Sequence, residues 1–119
     1  MDPILKHHYN NIINDKIIMK NGQMSTVVTA IMEVDGKEIV FPTLYDGQIL
    51  PVEQALKKSL DSGTFVAFDN LKEAQAYDKA IHDYNIKPVS KEQAKQMLSR
   101  AVKRPLMKER NIGNTSPTN

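Results

Sequence analysis

The chain contains no cysteine, which excludes disulfides, thiol nucleophiles and every zinc site built on thiolates. It has no apolar run near the roughly 18 residues of a membrane span, and its first residues lack the apolar stretch of a signal peptide. Together these absences predict residence in the cytoplasm. The five glycines stand singly, so neither a P-loop nor a dinucleotide fingerprint is present. Neither sign of charge dominates: 16 Lys+Arg stand against 14 Asp+Glu, a net charge of +2. That balance argues against a uniformly basic nucleic-acid binder and against an acidic disordered chain. What remains is 119 residues, 40% hydrophobic and 25% charged, the composition of one soluble domain of ordinary kind.

The small net charge hides an asymmetry. Residues 1–86 carry 8 Lys+Arg and 12 Asp+Glu, whereas residues 87–119 carry 8 Lys+Arg and 2 Asp+Glu. The basic residues of the second part are Lys87, Lys91, Lys95, Arg100, Lys103, Arg104, Lys108 and Arg110. Such a segment is either a solvated helix face followed by a soluble tail, or a surface that meets a phosphate backbone or an acidic protein.

Three dipeptides, Asn21-Gly22, Asp35-Gly36 and Asp46-Gly47, tolerate the positive φ of tight hairpin turns and predict a β-meander. Between the first two, Met24, Val28, Ala30, Met32 and Val34 share one face of a strand running from Met24 to Val34, with Ser25, Thr29 and Glu33 on the other. Lys37 to Leu44 is β-rich but interrupted by Pro42, which puts its far end at an edge or a bulge. Lys16–Lys20 and Gln48–Leu50 can supply short flanking strands.

Helical signals begin at Pro51, a first-turn residue. Val52, Ala55, Leu56 and Leu60 follow at helical spacing, and Gly63 provides a left-handed stop. After a strand-like run from Thr64 to Phe68, Asn70 and Glu73 form a capping box for a second helix whose buried face takes in Leu71, Ala74, Tyr77, Ala80 and Ile81 and extends to Tyr84, and which ends near Ile86. Ser90 and Gln93 cap a third helix, on which Ala94, Met97, Leu98, Ala101 and Val102 form an apolar stripe up to Pro105. Because the preceding unit looks complete, this stripe is expected to pack on a partner chain.

The sequence thus predicts an α+β fold: a small antiparallel β-meander of three to four strands packed with two helices, plus a C-terminal amphipathic helix and an extended tail. Its parts are an N-terminal arm (1–15), a core domain (16–86), a basic helix (87–105) and a flexible tail (106–119). In the arm, Leu5, His8, Tyr9, Ile12 and Ile13 can share one face of a helix too short to stand alone.

Chemistry is sparse. His7 and His8 are adjacent, point about 100° apart on a helix and have no third ligand at zinc-like spacing. His82, late in its helix, suits a dipole-favoured or carbonyl-capping role more than that of a general base. Asp35, Asp46 and Asp69 are each explained by turn or cap duty. No catalytic residue, cofactor or metal site is expected.

From Met19 to His82 the pattern Lys20-Asn21-Gly22, Ser25 to Thr29, Asp35 to Thr43, Asp46-Gly47, Ala55, Gly63, Phe68-Asp69, Ala74, Tyr77 and Ile81-His82 resembles a small domain recurrent in tailed-phage virion proteins. These include internal and DNA-ejection proteins of podophages and some virion-associated murein-degrading proteins. The resemblance covers about half the chain. It implies a non-enzymatic virion structural protein, present in host cytoplasm before assembly and in the virion after it. Its partners would be portal, tail or internal-core proteins, and a homo-oligomer is expected. Lys91, Lys95, Arg100, Lys103 and Arg104 are the expected contacts to DNA or an acidic partner. Two other readings are a phage-encoded regulator of a host protein and a glycan-binding module, the latter requiring exposed tyrosines or phenylalanines.

Overall fold

The computed structural model describes residues 1–100. Helix α1 (Pro3–Ile13) starts at Asp2, whose Oδ1 accepts from the N–H groups of Ile4 (2.7 Å) and Leu5 (3.1 Å), satisfying donors that a helix start leaves orphaned. Three antiparallel hairpins follow. β1 (Ile18–Lys20) pairs with β2 (Gln23–Ser25), β3 (Thr29–Val34) with β4 (Lys37–Pro42), and β5 (Leu44–Tyr45) with β6 (Gln48–Ile49). Their turns are the three Asx-Gly dipeptides, with φ of 51–53° at the first residue and 76–83° at the glycine. That is the backbone of the two-residue turn whose twist matches paired strands.

Helix α2 (Val52–Ser62) ends at Gly63, which takes a left-handed φ of 74°. β7 (Val66–Phe68) leads into α3 (Leu71–Ala80), capped by the Asn70 side chain accepting from Glu73 N–H at 2.9 Å. A π-helical turn (Ile81–Asn85) extends α3 to Ile86. The last described element, α4 (residues 91–100), begins at Ser90.

The main sheet has the order β3-β4-β7, all antiparallel. β7 covers β4 only over Glu38–Val40, so Pro42 lies where β4 has β3 alone as neighbour, the edge position that a residue without an N–H requires. Ile39, Phe41 and Ala55 form a cluster with Ala30, Met32, Val34, Leu56 and Phe65, which places α2 on one face of the sheet. On the other face Ile4, Val27 and Ile81 pack with Val66, Tyr77 and Ile86, bringing in α1 and α3. With helices on both faces, Val40, Phe41 and Pro42 are all buried, which is why β4 reads as a continuous apolar run rather than an alternating one.

The α+β class agrees with the sequence, but five particulars differ. The strand expected from Met24 to Val34 breaks at residues 26–28 and contributes to two separate sheets. There the Thr26 hydroxyl lies 2.6 Å from His8 Nδ1, and the Thr26 carbonyl accepts from Asn11 Nδ2 at 2.8 Å, so this stretch serves α1 rather than a ladder. Secondly, the N-terminal arm is core, since Ile4, His8, Tyr9, Asn11 and Ile12 of α1 are all buried. Thirdly, the stripe expected to meet a partner chain packs on α1: Ala94, fully buried, clusters with Tyr9 and Ile12, flanked by Met97 and Leu98. Two short apolar faces, each too small to fold alone, cover one another. Ala101, Val102, Lys103, Arg104 and the tail 106–119 lie outside the described residues. Fourthly, Pro51 caps α2 from just outside the helix, with φ of −53°. Finally, Leu71, Ala80 and Tyr84, expected on the buried face of the second helix, are exposed, because only the narrower stripe of Ala74, Tyr77 and Ile81 meets the body.

The fold makes two effects measurable. Ile4→Ala should lower the unfolding free energy by about 2–5 kcal/mol, the range for emptying a buried branched side chain, in urea titrations followed by circular dichroism. Burial also holds His7 and His8 below the ordinary imidazole value of 6.5. The unfolded chain then takes up protons that the fold refuses, so these histidines contribute their full stability above that value and lose it as the pH falls towards their folded pKa. Urea midpoints should therefore be lower at about pH 5 than at about pH 8, with the ring signals of both histidines titrating below about 6.5 by NMR.

Candidate functional site

The expected contact surface begins at the cap of α4. Ser90 Oγ accepts from Gln93 N–H at 3.1 Å while Gln93 Oε1 accepts from Ser90 N–H at 3.0 Å, the reciprocal capping box that the sequence shows. Anchored there and along Ala94, Met97 and Leu98, the helix turns its remaining circumference to solvent.

The cations on it differ in what they touch. Lys87, just ahead of the helix, donates to the Asp83 carbonyl at 2.7 Å and closes the π-helical turn. Lys91 pairs with Asp15 at 2.7 Å, tying the start of α4 to the chain just beyond α1. Lys95 lies 4.0 Å from Glu92, and Arg100 lies along Met97, with Nη1 4.0 Å from Sδ. Lys91 and Lys95 are four residues apart and share a side, but Arg100 is nine residues from Lys91 and so about 180° around the helix. The cations do not form a single stripe; they flank the docked face on both sides. Lys95 and Arg100 are exposed and have no carboxylate from another element against them among the described residues.

Beside α4 lies a polar knot that sequence reasoning missed. His8, almost fully buried, lies 3.0 Å through Nε2 from the Lys87 carbonyl. That carbonyl can only accept, so Nε2 carries the proton and Nδ1 accepts from the Thr26 hydroxyl. One neutral imidazole thus ties α1, the break between β2 and β3, and the segment leading to α4. Adjacent His7 points elsewhere, donating through Nε2 to the Leu44 carbonyl at 2.7 Å with its ring edge on Tyr45. Tyr45 in turn lies 2.6 Å from Ser59 Oγ.

His82 is not a helix cap. Thr29 Oγ1 donates to Asp78 at 2.6 Å and lies 3.1 Å from His82 Nε2, which is itself 3.5 Å from Asp78. With the hydroxyl proton directed at Asp78, Thr29 Oγ1 can only accept from His82 Nε2, so this imidazole is not placed to take the hydroxyl proton as a general base would. The group pins α3 to the first residue of β3. It borders a pocket of about 200 Å³ lined by Met24–Val27, Ile86, Lys87 and Pro88. The i, i+4 spacing of Asp78 and His82 was a usable signal; the approach of Thr29 was not.

The aromatic side chains are mostly committed to packing. Phe41, Tyr9 and Tyr45 are buried, Phe65 belongs to the α2 cluster, and Phe68 packs against Tyr77, whose hydroxyl donates to Asp2 at 2.6 Å. Burial and the Asp2 carboxylate push the Tyr77 phenol far up. Tyr84, 77% exposed, is the open aromatic ring among the described residues. Those residues contain no group of three or more potential metal ligands and no helix long and apolar enough to cross a membrane.

Compared with known proteins, the chain matches no family model, no curated protein and no solved structure at a significant level.

Because Lys91, Lys95 and Arg100 are all exposed and the one cross-element pair among them, Lys91 with Asp15, is a solvated surface pair, recharging the α4 surface should cost the fold little. The triple variant Lys91→Glu, Lys95→Glu, Arg100→Glu should keep its unfolding free energy within ~1 kcal/mol of the parent, whereas Ala94→Leu should cost roughly 1–3 kcal/mol by overpacking the seam with α1. Chemical denaturation of the two variants side by side checks this.

Proposed function

We propose that the protein is a non-enzymatic structural component of a tailed-phage virion, an oligomeric part of the portal, tail or internal ejection apparatus. The observation that carries this reading is α4 itself. The helix packs on α1 through Ala94, Met97 and Leu98, and from that seat it presents Lys95 and Arg100 outward on opposite sides of the seam. A preordered basic projection on a small body suits docking to an acidic protein surface or to packaged nucleic acid, because little ordering entropy remains to be lost on contact. The residue pattern from Met19 to His82, which resembles the phage virion domain, supports the same assignment.

Particles assembled with the triple charge-reversal variant decide the matter. Quantitative mass spectrometry of purified virions should find the parent protein at a fixed copy number and the variant strongly depleted. A parent chain found in infected cells but absent from particles would overturn the reading and favour a regulator of a host protein. Equal incorporation of the variant would remove α4 as the contact.

A further inference from the structure

On one side the main sheet ends in β3. That strand pairs with β4 along all six of its residues, without a bulge, and with no other strand among the described residues. The two-residue turn at Asp35-Gly36 makes Val34 and Lys37 a pair that exchanges both backbone bonds, and Thr43 N–H donating to the Val28 carbonyl at 2.6 Å confirms the phase at the far end. Ala30, Met32 and Val34 therefore direct their N–H and C=O groups at β4, while those of Thr29, Ile31 and Glu33 point away from it. Among the described residues no backbone or side-chain group bonds to them. Exposed edges are ordinarily blunted by lysine, proline, a bulge or a very short strand; β3, Thr-Ala-Ile-Met-Glu-Val, has none of these and one charge.

We propose that this edge is a self-association surface, on which two copies of the chain pair β3 antiparallel about a two-fold axis at Ile31, joining two three-stranded sheets into one of six. The inference rests on the oligomeric part of the reading above. The strand is self-complementary in that register. Ile31 faces the partner's Ile31, and Thr29 faces the partner's Glu33, so all three residues with outward backbone groups fall at hydrogen-bonded positions. Glu33 comes opposite the partner's Thr29, whose hydroxyl donates to Asp78 and lies 3.1 Å from His82, rather than opposite its own copy, so no two glutamates are directly paired across the seam. On the α2 face Ala30 comes opposite the partner's Met32, small against large. Pairings centred one residue to either side leave one of the outward-facing residues beyond the matched trio. A symmetric pairing of identical surfaces closes on itself and yields a discrete dimer.

The absence of native cysteine makes the register directly readable in the full-length protein. In the proposed pair the two Ile31 Cα atoms stand about 5.5 Å apart, within the span of a disulfide. Each Glu33 is offset from its copy by four residues, more than about 13 Å. Analytical ultracentrifugation of the parent chain should show a dimer. Under mild oxidation Ile31→Cys should form covalent dimers while Glu33→Cys remains uncross-linked. Because Ile31 is half-buried, a spin label on Glu33→Cys, at an exposed site, provides a second readout: a single short inter-label distance set by that offset. A monomeric parent at all concentrations, equal cross-linking of the two cysteines, or no resolved inter-label distance would overturn the proposal. An oligomer whose Ile31→Cys variant fails to cross-link would remove β3 as the interface while leaving virion incorporation, measured separately, standing.

Discussion

Everything around α1 depends on where the polar groups of Thr26 go. A hydroxyl and a carbonyl placed in the interior must each find a partner or cost the fold the full price of desolvation. Here the hydroxyl goes to His8 and the carbonyl to Asn11, both one turn apart on the same helix. The second nitrogen of His8 then reaches the Lys87 carbonyl, which lies beyond α3 and just before α4. A residue near the start, one in the β region and one near the end of the described chain are thus fixed by a single imidazole. The apolar contacts of Ile4 with Val27 and Ile81, and of Tyr9 and Ile12 with Ala94, lie on either side of it. The burial that makes this bridge useful is also what keeps the ring neutral.

The second consequence is the shape of the molecule's surfaces. Because α1 is clamped to the body, it offers α4 a seat, and because α4 is seated by a narrow stripe, its cations stand clear on both flanks. Asp2 repeats the device at the other end of α1, capping the helix with one oxygen and accepting from Tyr77 with the other. A second polar group, Thr29 with Asp78 and His82, locks α3 over the beginning of β3. That lock fixes one face of the strand while leaving its outer edge open. Helices cover both faces of the small sheet, so it can grow only at an edge, and β3, six residues against three for β7, is the longer of its two edge strands.

Much of the fold was legible in the sequence because it is written in local rules. The three Asx-Gly turns, the Asn70 and Ser90 caps and the Gly63 stop depend on backbone conformations that few residue types favour. The same holds for the edge position of Pro42. The helical stripe of α4 was likewise readable, but not its partner: an amphipathic face announces that it must be covered without naming what covers it. The break in the strand at Thr26 was hidden because a short alternating run continues across it, and only the demand of His8 and Asn11 ends the ladder there. Of the basic surface, the residue types were legible, while the separation of Arg100 from Lys91 and the pairing of Lys91 with Asp15 needed the helix in place.

The sequence by itself therefore determined the class of fold, the turns, the caps that start α3 and α4, the stop that ends α2 and the placement of positive charge late in the chain, because each follows from the preferences of neighbouring residues. Only the tertiary structure decided that one face of α1 is core, that α4 rests on its own chain and that His82 serves Thr29. Each of those outcomes depends on groups tens of residues apart meeting at hydrogen-bond or van der Waals distance, and no local preference encodes such a meeting.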